Sequence, residues 1–126
     1  VEMDIVKLDD IAGDKFPAGR WTRVITGEGK ITPKGFMMGY VIIYPGGKVP
    51  LHEHDNEEVY TVLKGSGEMH IGSEVKKMEA ISSVYVPSGQ PHSLVNTGSE
   101  DLEMMFVYHP ATIVDHWAQE RKGELH

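Results

Sequence analysis

The chain of 126 residues contains no cysteine. Disulfides, Cys-x-x-Cys zinc sites and thiol nucleophiles are therefore excluded, and any metal must be held by nitrogen and oxygen. Basic charge is also scarce: 12 Lys and Arg stand against 19 Asp and Glu, giving a formal charge of -7. That balance argues against a nucleic-acid partner or an anionic membrane surface. No apolar run approaches the roughly 20 residues of a membrane span, so no membrane partner is expected. The start, Val1-Glu2-Met3-Asp4, lacks the basic-then-apolar form of a signal peptide, and the expectation is a cytoplasmic protein. An initiator Met is absent as well, which leaves a trimmed leader open. Nor is there a linker, a low-complexity tract or an internal repeat. What is present is 40% hydrophobic and 25% charged residues, the balance of a globular chain, with length for one domain over 1–126.

Fourteen glycines and seven prolines punctuate the chain as turns between short strands would. The apolar, β-branched and aromatic runs predict strands at Arg20–Thr26, Phe36–Tyr44, Val59–Leu63, Glu68–Ile71, Val84–Val86, Ser93–Val95 and Leu102–Tyr108. Turn signals such as Pro45-Gly46-Gly47 and Gly65-Ser66-Gly67 come at the spacing of an all-β sandwich or barrel. Only the tail reads as helix. Thr112 and Asp115 have capping-box spacing, Ile113, Val114, Trp117 and Ala118 make one apolar stripe, and Gly123 can stop it. Two strands are apolar on both faces: Phe36, Met38, Tyr40, Ile42 and Tyr44 against Met37, Val41 and Ile43, and Leu102, Met104, Phe106 and Tyr108 against Met105 and Val107. A half-solvated strand carries polar residues outside, so the chain's own ends or a second subunit should cover these faces.

The chemistry concentrates in two clusters. In the first, Gly46, His52, His54, Glu58 and Gly65 stand in fixed register. His52 and His54 are two apart, so an extended segment points both imidazoles to one face. Asp55, Asn56 and Glu57 make a turn, after which the Glu58 strand can lie antiparallel beside the first and bring its carboxylate to the rings. In the second cluster Pro87, Gly89, His92 and Asn96 place a tight turn before a strand that His92 begins. Two histidines and a carboxylate suit Fe(II), and a third histidine makes a four-ligand site that divalent Fe, Mn, Ni, Cu or Zn could use. Six-coordination would leave two positions open, whereas tetrahedral zinc would leave none. A His-x-His pair beside the acidic run Glu53, Asp55, Glu57 and Glu58 also suits a solvated turn, and the conjunction of both clusters is what outweighs that reading.

In these residues the chain resembles the cupins. Residues 46–65 match the first cupin motif position for position, and residues 87–96 match the later part of the second. One departure is Ile81, six residues before the proline, where the family pattern has a turn glycine. The motifs and the segment between them cover Gly46–Asn96, about two-fifths of the chain. The resemblance implies a single-domain cupin of the conserved-barrel type, a double-stranded β-helix or jelly roll with a short C-terminal helix. It further implies one divalent metal bound by His52, His54, Glu58 and His92 inside the barrel, and a homodimer, in agreement with the doubly apolar strands.

Other residues take plainer roles. His70 alternates with Met69 and Ile71 and belongs outside, while His109, His116 and His126 sit at a strand end, in the helix and at the terminus. Tyr60 shares the parity of Glu58 and is a pocket candidate, with simple barrel packing as its alternative. Asn96 serves the turn with Thr97 and Gly98, Trp117 helps to cover a barrel end, and the seven methionines fill the core. Arg20 and Arg23 would bind an anionic or carbonyl ligand if they enter the pocket. The leading functional expectation is a metalloenzyme acting on a small oxygen-bearing substrate (carboxylate, carbonyl or sugar-like). Dioxygenase, decarboxylase, isomerase and lyase chemistry are all compatible. A non-catalytic small-ligand binding or sensing module is the alternative, and a structural role with a closed metal site comes third.

Overall fold

The computed structural model describes residues 2–111 and 116–125. The order of elements is β1 (Asp14–Phe16), β2 (Arg20–Val24), β3 (Met37–Ile43), β4 (Lys48–His52), β5 (Glu57–Lys64), β6 (Ser66–Ile71), β7 (Glu74–Glu79), β8 (Ser82–Val86), β9 (His92–Val95), β10 (Leu102–His109) and α1 (His116–Arg121). The strands form a six-stranded sheet in the order β1-β2-β3-β10-β5-β8 and a four-stranded sheet in the order β4-β9-β6-β7. From β3 onward the chain changes sheet between β3, β4, β5 and β6, and again between β7, β8, β9 and β10. That alternation is the double-stranded β-helix expected from the motifs. The predicted cap at Thr112 and Asp115, and Ile113 and Val114 of the apolar stripe, lie outside the described residues. Among the described residues no helix is long and apolar enough to cross a membrane.

The core sits between the sheets and follows the two-residue period of each strand. Val41, Ile43, Tyr60, Val62, Leu102, Met104, Phe106 and Tyr108 face inward from one sheet, opposite Val49, Met69, Met78 and Leu94 of the other. β10 lies between β3 and β5, with Phe106 opposite Gly39 on one side and Tyr60 on the other. A Cβ on Gly39 would come within 2.6 Å of the Phe106 ring, so the glycine makes room for the aromatic. The two glycines that frame the first motif have a backbone reason. Gly46 and Gly65 take φ of 79° and 82°, a region closed to most side chains, and a Cβ on Gly65 would lie 2.7 Å from the Asp101 carbonyl oxygen.

One strand expectation changes, and β1 and β7 are additions to the predicted strands. The strands bearing His52 and Glu58 do not pair side by side: β4 pairs with β9, and β5 pairs with β8 and β10. The link between them crosses from one sheet to the other instead of closing a hairpin. β1 is too short to carry a pattern, and β7 is an edge strand of which only Met78 is buried. Ile81 occupies the short connection between β7 and β8 and is 77% exposed, so its side chain disturbs no packing where the family pattern has glycine.

The doubly apolar strands keep an uncovered side. Met38, Tyr40 and Ile42 of β3 and Met105 and Val107 of β10 are half-buried on the outer face, in register as Tyr40 beside Met105 and Met38 beside Val107. The N-terminal segment runs beside the neighbouring β2, where the Trp21 indole N–H donates to the Ala12 carbonyl at 2.8 Å.

Candidate metal centre

Each donor is brought in by a different piece of the topology. His52 ends β4 and His92 begins β9, and the two are direct partners in the register of the four-stranded sheet. Glu58 comes from β5 in the opposite sheet. His54 lies on the link between them. The turn of the second cluster clamps that link: the Gly89 N–H donates to the His54 carbonyl at 2.8 Å, and the Ser88 hydroxyl to the Asp55 carbonyl at 2.7 Å. Buried Asn56 ties it to the end of β10 through a 2.7 Å bond to the Pro110 carbonyl.

Each of the three rings has its Nδ1 beside a backbone carbonyl. The partners are Pro50 for His52 at 2.6 Å, Asn56 for His54 at 3.0 Å and Gln90 for His92 at 2.8 Å. A carbonyl can only accept, so the proton of each neutral ring is assigned to Nδ1 and the Nε2 lone pair is left for another partner. The Nε2 atoms of His54 and His92 lie 3.2 and 3.3 Å from the same Glu58 oxygen. One donor atom from each of His52, His54, Glu58 and His92 falls within 4.8 Å of the others. His92 is fully buried, and its Nε2 has no hydrogen-bond partner among the described residues. An unmatched buried nitrogen in a three-imidazole, one-carboxylate cluster fits a divalent cation, which would supply the missing partner.

Burial pushes the Glu58 carboxyl up, and the hydrogen bond with His54 and the closeness of the His92 ring outweigh it, so its pKa is lowered and it is ionised at neutral pH. Burial likewise opposes a charged His54, but the hydrogen bond to Glu58 and its negative charge prevail and raise that ring's pKa. The signs follow by linkage. The Glu58 contribution to metal-free stability is present above its unfolded value and is lost as pH falls through its lowered pKa. The His54 contribution is present below about 6.5, the ordinary imidazole value, and is lost as pH rises through its raised pKa. Protons therefore compete with a metal for His54. Metal uptake near neutral pH is expected to release protons into weakly buffered solution, and affinity to fall as pH drops through the imidazole range. Equilibrium dialysis across that range checks it.

His52, His54 and Glu58 open onto a pocket lined also by Arg20, Thr22, Tyr60, Phe106, Tyr108 and Trp117, with about 20 Å³ free, room for a water. Tyr60 is buried inside, and burial and the adjacent Glu58 charge hold its hydroxyl protonated. Arg20 enters the pocket: its Nε donates to the Thr22 hydroxyl at 3.1 Å, and its guanidinium pairs with Glu120 of α1. Arg23 points to the other face, stacked over Trp21 at 3.9 Å. Trp117 stands edge-on to Phe106 at 6.2 Å as part of the helix covering this end of the barrel. His70 lies outside, 2.8 Å from Glu68. Asn96 is buried, and its side chain bridges Ile43, Glu100 and Gly98. The sequence reading did not single out Thr22, Glu120 or the Tyr108 hydroxyl. The parity of Tyr108 with Phe106 could have flagged it, whereas nothing local marks Glu120, whose partner is 100 positions away.

The sequence model of the cupin domain matches residues 39–108. Among curated proteins, the chain is 39% identical over 72 residues to auxin-binding protein 1 of Arabidopsis thaliana, covering 50% of this chain and 36% of that one. It is 39% identical over 64 residues to an oxalate-binding protein of Thermotoga maritima, covering 50% and 53%. A 5-nitrosalicylic acid 1,2-dioxygenase of Bradyrhizobium is 30% identical over 84 residues, covering 67% and 40%. The chain thus spans about a third to a half of the length of these three curated relatives. Among solved structures, a predicted oxalate decarboxylase of Thermotoga maritima superposes with a TM-score of 0.76 at 24% identity, covering 84% of this chain and 98% of that one. A conserved-barrel protein of Salinispora arenicola gives 0.75 at 24%, covering 94% and 98%. At that identity these two speak for the fold alone.

Proposed function

This chain belongs to the cupin family, and from that premise we propose that residues 1–126 work as one metal-dependent cupin unit acting on a small carboxylate. His52, His54, Glu58 and His92 would hold one divalent transition metal. The observation that carries this reading is the shared set of the three rings, each with Nδ1 at a backbone carbonyl, around one ionised carboxylate. When bound, such an ion supplies a Lewis acid, or in the case of Fe(II) a centre for oxygen chemistry. The chain's own residues would do the rest. Arg20 supplies positive charge for an anion, Tyr60 supplies a neutral hydroxyl, and the apolar wall of Val41, Val49, Met104 and Phe106 keeps bulk water away. Acidic small molecules also occur in the names of two relatives, the oxalate-binding protein and the 5-nitrosalicylic acid dioxygenase.

A second reading, a binding or sensing module, draws on a separate observation. Tyr60 and Tyr108 are both held protonated by burial and by Glu58. Neither is poised to move a proton near neutral pH. Metal analysis of protein purified without chelator, followed by oxygen-uptake and product assays on small carboxylates, separates the readings. Turnover supports the enzyme, saturable binding without turnover supports the sensor, and absence of metal removes both.

The outer face of β3 and β10 supports a homodimer, since a self-complementary apolar sheet face is what a two-fold interface buries. A solution mass of about twice 14.0 kDa is expected at micromolar concentration. A strictly monomeric mass by light scattering would discard it.

A further inference from the structure

The ion pair between Arg20 and Glu120 is out of place as a device for stability. Both side chains are almost fully buried, and removing two charges from water commonly offsets their attraction. The pairing is also incomplete. Glu120 meets Arg20 through one oxygen, while its Oε1 has no hydrogen-bond partner among the described residues. A second gap lies in the same pocket: Tyr108 is 3% exposed, lines the cavity, and its hydroxyl has no partner among the described residues either. Two unmatched buried polar groups, one on the partner of this guanidinium and one in the lining of the same pocket, call for an explanation. Helix α1, which carries Glu120, is six residues long. That is too short to be stable alone, and the ion pair between its Arg121 and Asp14 of β1, at 2.9 Å, is exposed and weak.

We propose that Arg20 is the carboxylate-binding residue of the pocket, and that Glu120 is an internal carboxylate occupying its guanidinium until a small carboxylate ligand displaces it. The inference rests on the proposed metal site and deepens it by naming the ligand's chemistry. A guanidinium takes a planar carboxylate by two parallel hydrogen bonds, which Glu120 does not complete. A small dicarboxylate has one group for the metal and one for Arg20, and the Tyr108 hydroxyl is a free donor for the same ligand. The lining side chains leave only about 20 Å³ of the pocket free, so a dicarboxylate enters only where part of the lining gives way. Of the lining elements, α1 stands outside both sheets and has no strand pairing to hold it.

Calorimetric titration of metal-loaded protein with oxalate tests this, with neutral imidazole as a probe that needs no guanidinium. Glu120→Gln is expected to tighten oxalate by about tenfold, the effect of freeing one charged hydrogen-bond partner, and to leave imidazole unchanged. In an Arg20→Met background the same substitution should give no gain. A gain that persists without Arg20 would be a general charge effect, and no gain with Arg20 present would make the pair structural; either outcome overturns the proposal. Should Glu120→Gln fold poorly, the charge-free Arg20→Met/Glu120→Met variant decides. It should bind oxalate at least about tenfold more weakly than the parent, whereas oxalate affinity equal to the parent's overturns the proposal. Metal content measured on every sample keeps the two readings apart. A metal-loaded protein lacking these effects discards the role of Glu120 and retains the metal site. A metal-free protein showing them discards the metal and retains Arg20.

Discussion

His92→Ala is expected to lose most of the bound metal, while His70→Ala keeps it. The two substitutions remove the same ring, so position alone accounts for any difference. His92 is fully buried, with Nδ1 held by the Gln90 carbonyl and Nε2 unmatched beside Glu58. His70 points outward to Glu68. Disturbing a group that merely orients a ligand weakens metal affinity by about 10–100-fold, and deleting a ligand should cost more. Binding to the folded state alone contributes about 2.7 kcal/mol when free metal exceeds Kd a hundredfold. At this chain length that is a difference in melting temperature on the order of 10 °C. The gap between parent and His92→Ala should shrink after chelation. Metal analysis and calorimetry of both variants check it, and equal metal content in the two would remove His92 from the proposed set.

Asn96→Ala should show the opposite pattern, a large loss of stability with metal affinity kept in the folded fraction. The Asn96 side chain donates to the carbonyls of Ile43 and Glu100 and accepts from the Gly98 N–H, all at 2.7–2.9 Å. Its backbone also exchanges bonds with the Gly46–Gly47 turn. The end of β3, the turn opening the first motif and the turn before β10 thus meet at one residue. Alanine leaves these buried groups unmatched at about 1–3 kcal/mol each, and the total loss is expected to be about 3 kcal/mol because some groups will find water. Denaturant unfolding of the metal-free protein measures it. A change below about 0.5 kcal/mol, the range of a neutral surface site, would mean that water replaces the side chain without cost.

The legible part of the fold was the part with a buried face. β3, β5 and β10 announce themselves by apolar alternation and glycine-bearing turns. β7, with Glu74, Lys76, Lys77 and Glu79 in solvent, leaves no trace because an edge strand needs charge more than it needs a pattern. His52, His54 and Glu58 were legible as a donor group from their spacing around one turn, and the resemblance to the second cupin motif is what joined His92 to them. Their arrangement was not legible. Nearness in sequence suggested a hairpin between the His52 and Glu58 segments, whereas Asn56 and the Ser88–Gly89 turn draw the link across to the other sheet. Arg20 of β2, which lines the pocket, and its partner Glu120 of α1 are 100 positions apart and meet only through the closed barrel, so no local pattern announces their pairing.

The repeated change of sheet along the chain also bears on the order in which the molecule folds. Met37 finds Tyr108, and Lys48 finds Val95, so the principal pairings close long loops whose entropy is lost before their contacts form. Such topologies fold in milliseconds to seconds, slowly for this size. His52, His54 and Glu58 lie within one short stretch, but His92 reaches them only when β9 docks against β4. The fourth donor therefore arrives with the long-range step, and the cluster becomes complete only in a chain whose two sheets have already closed.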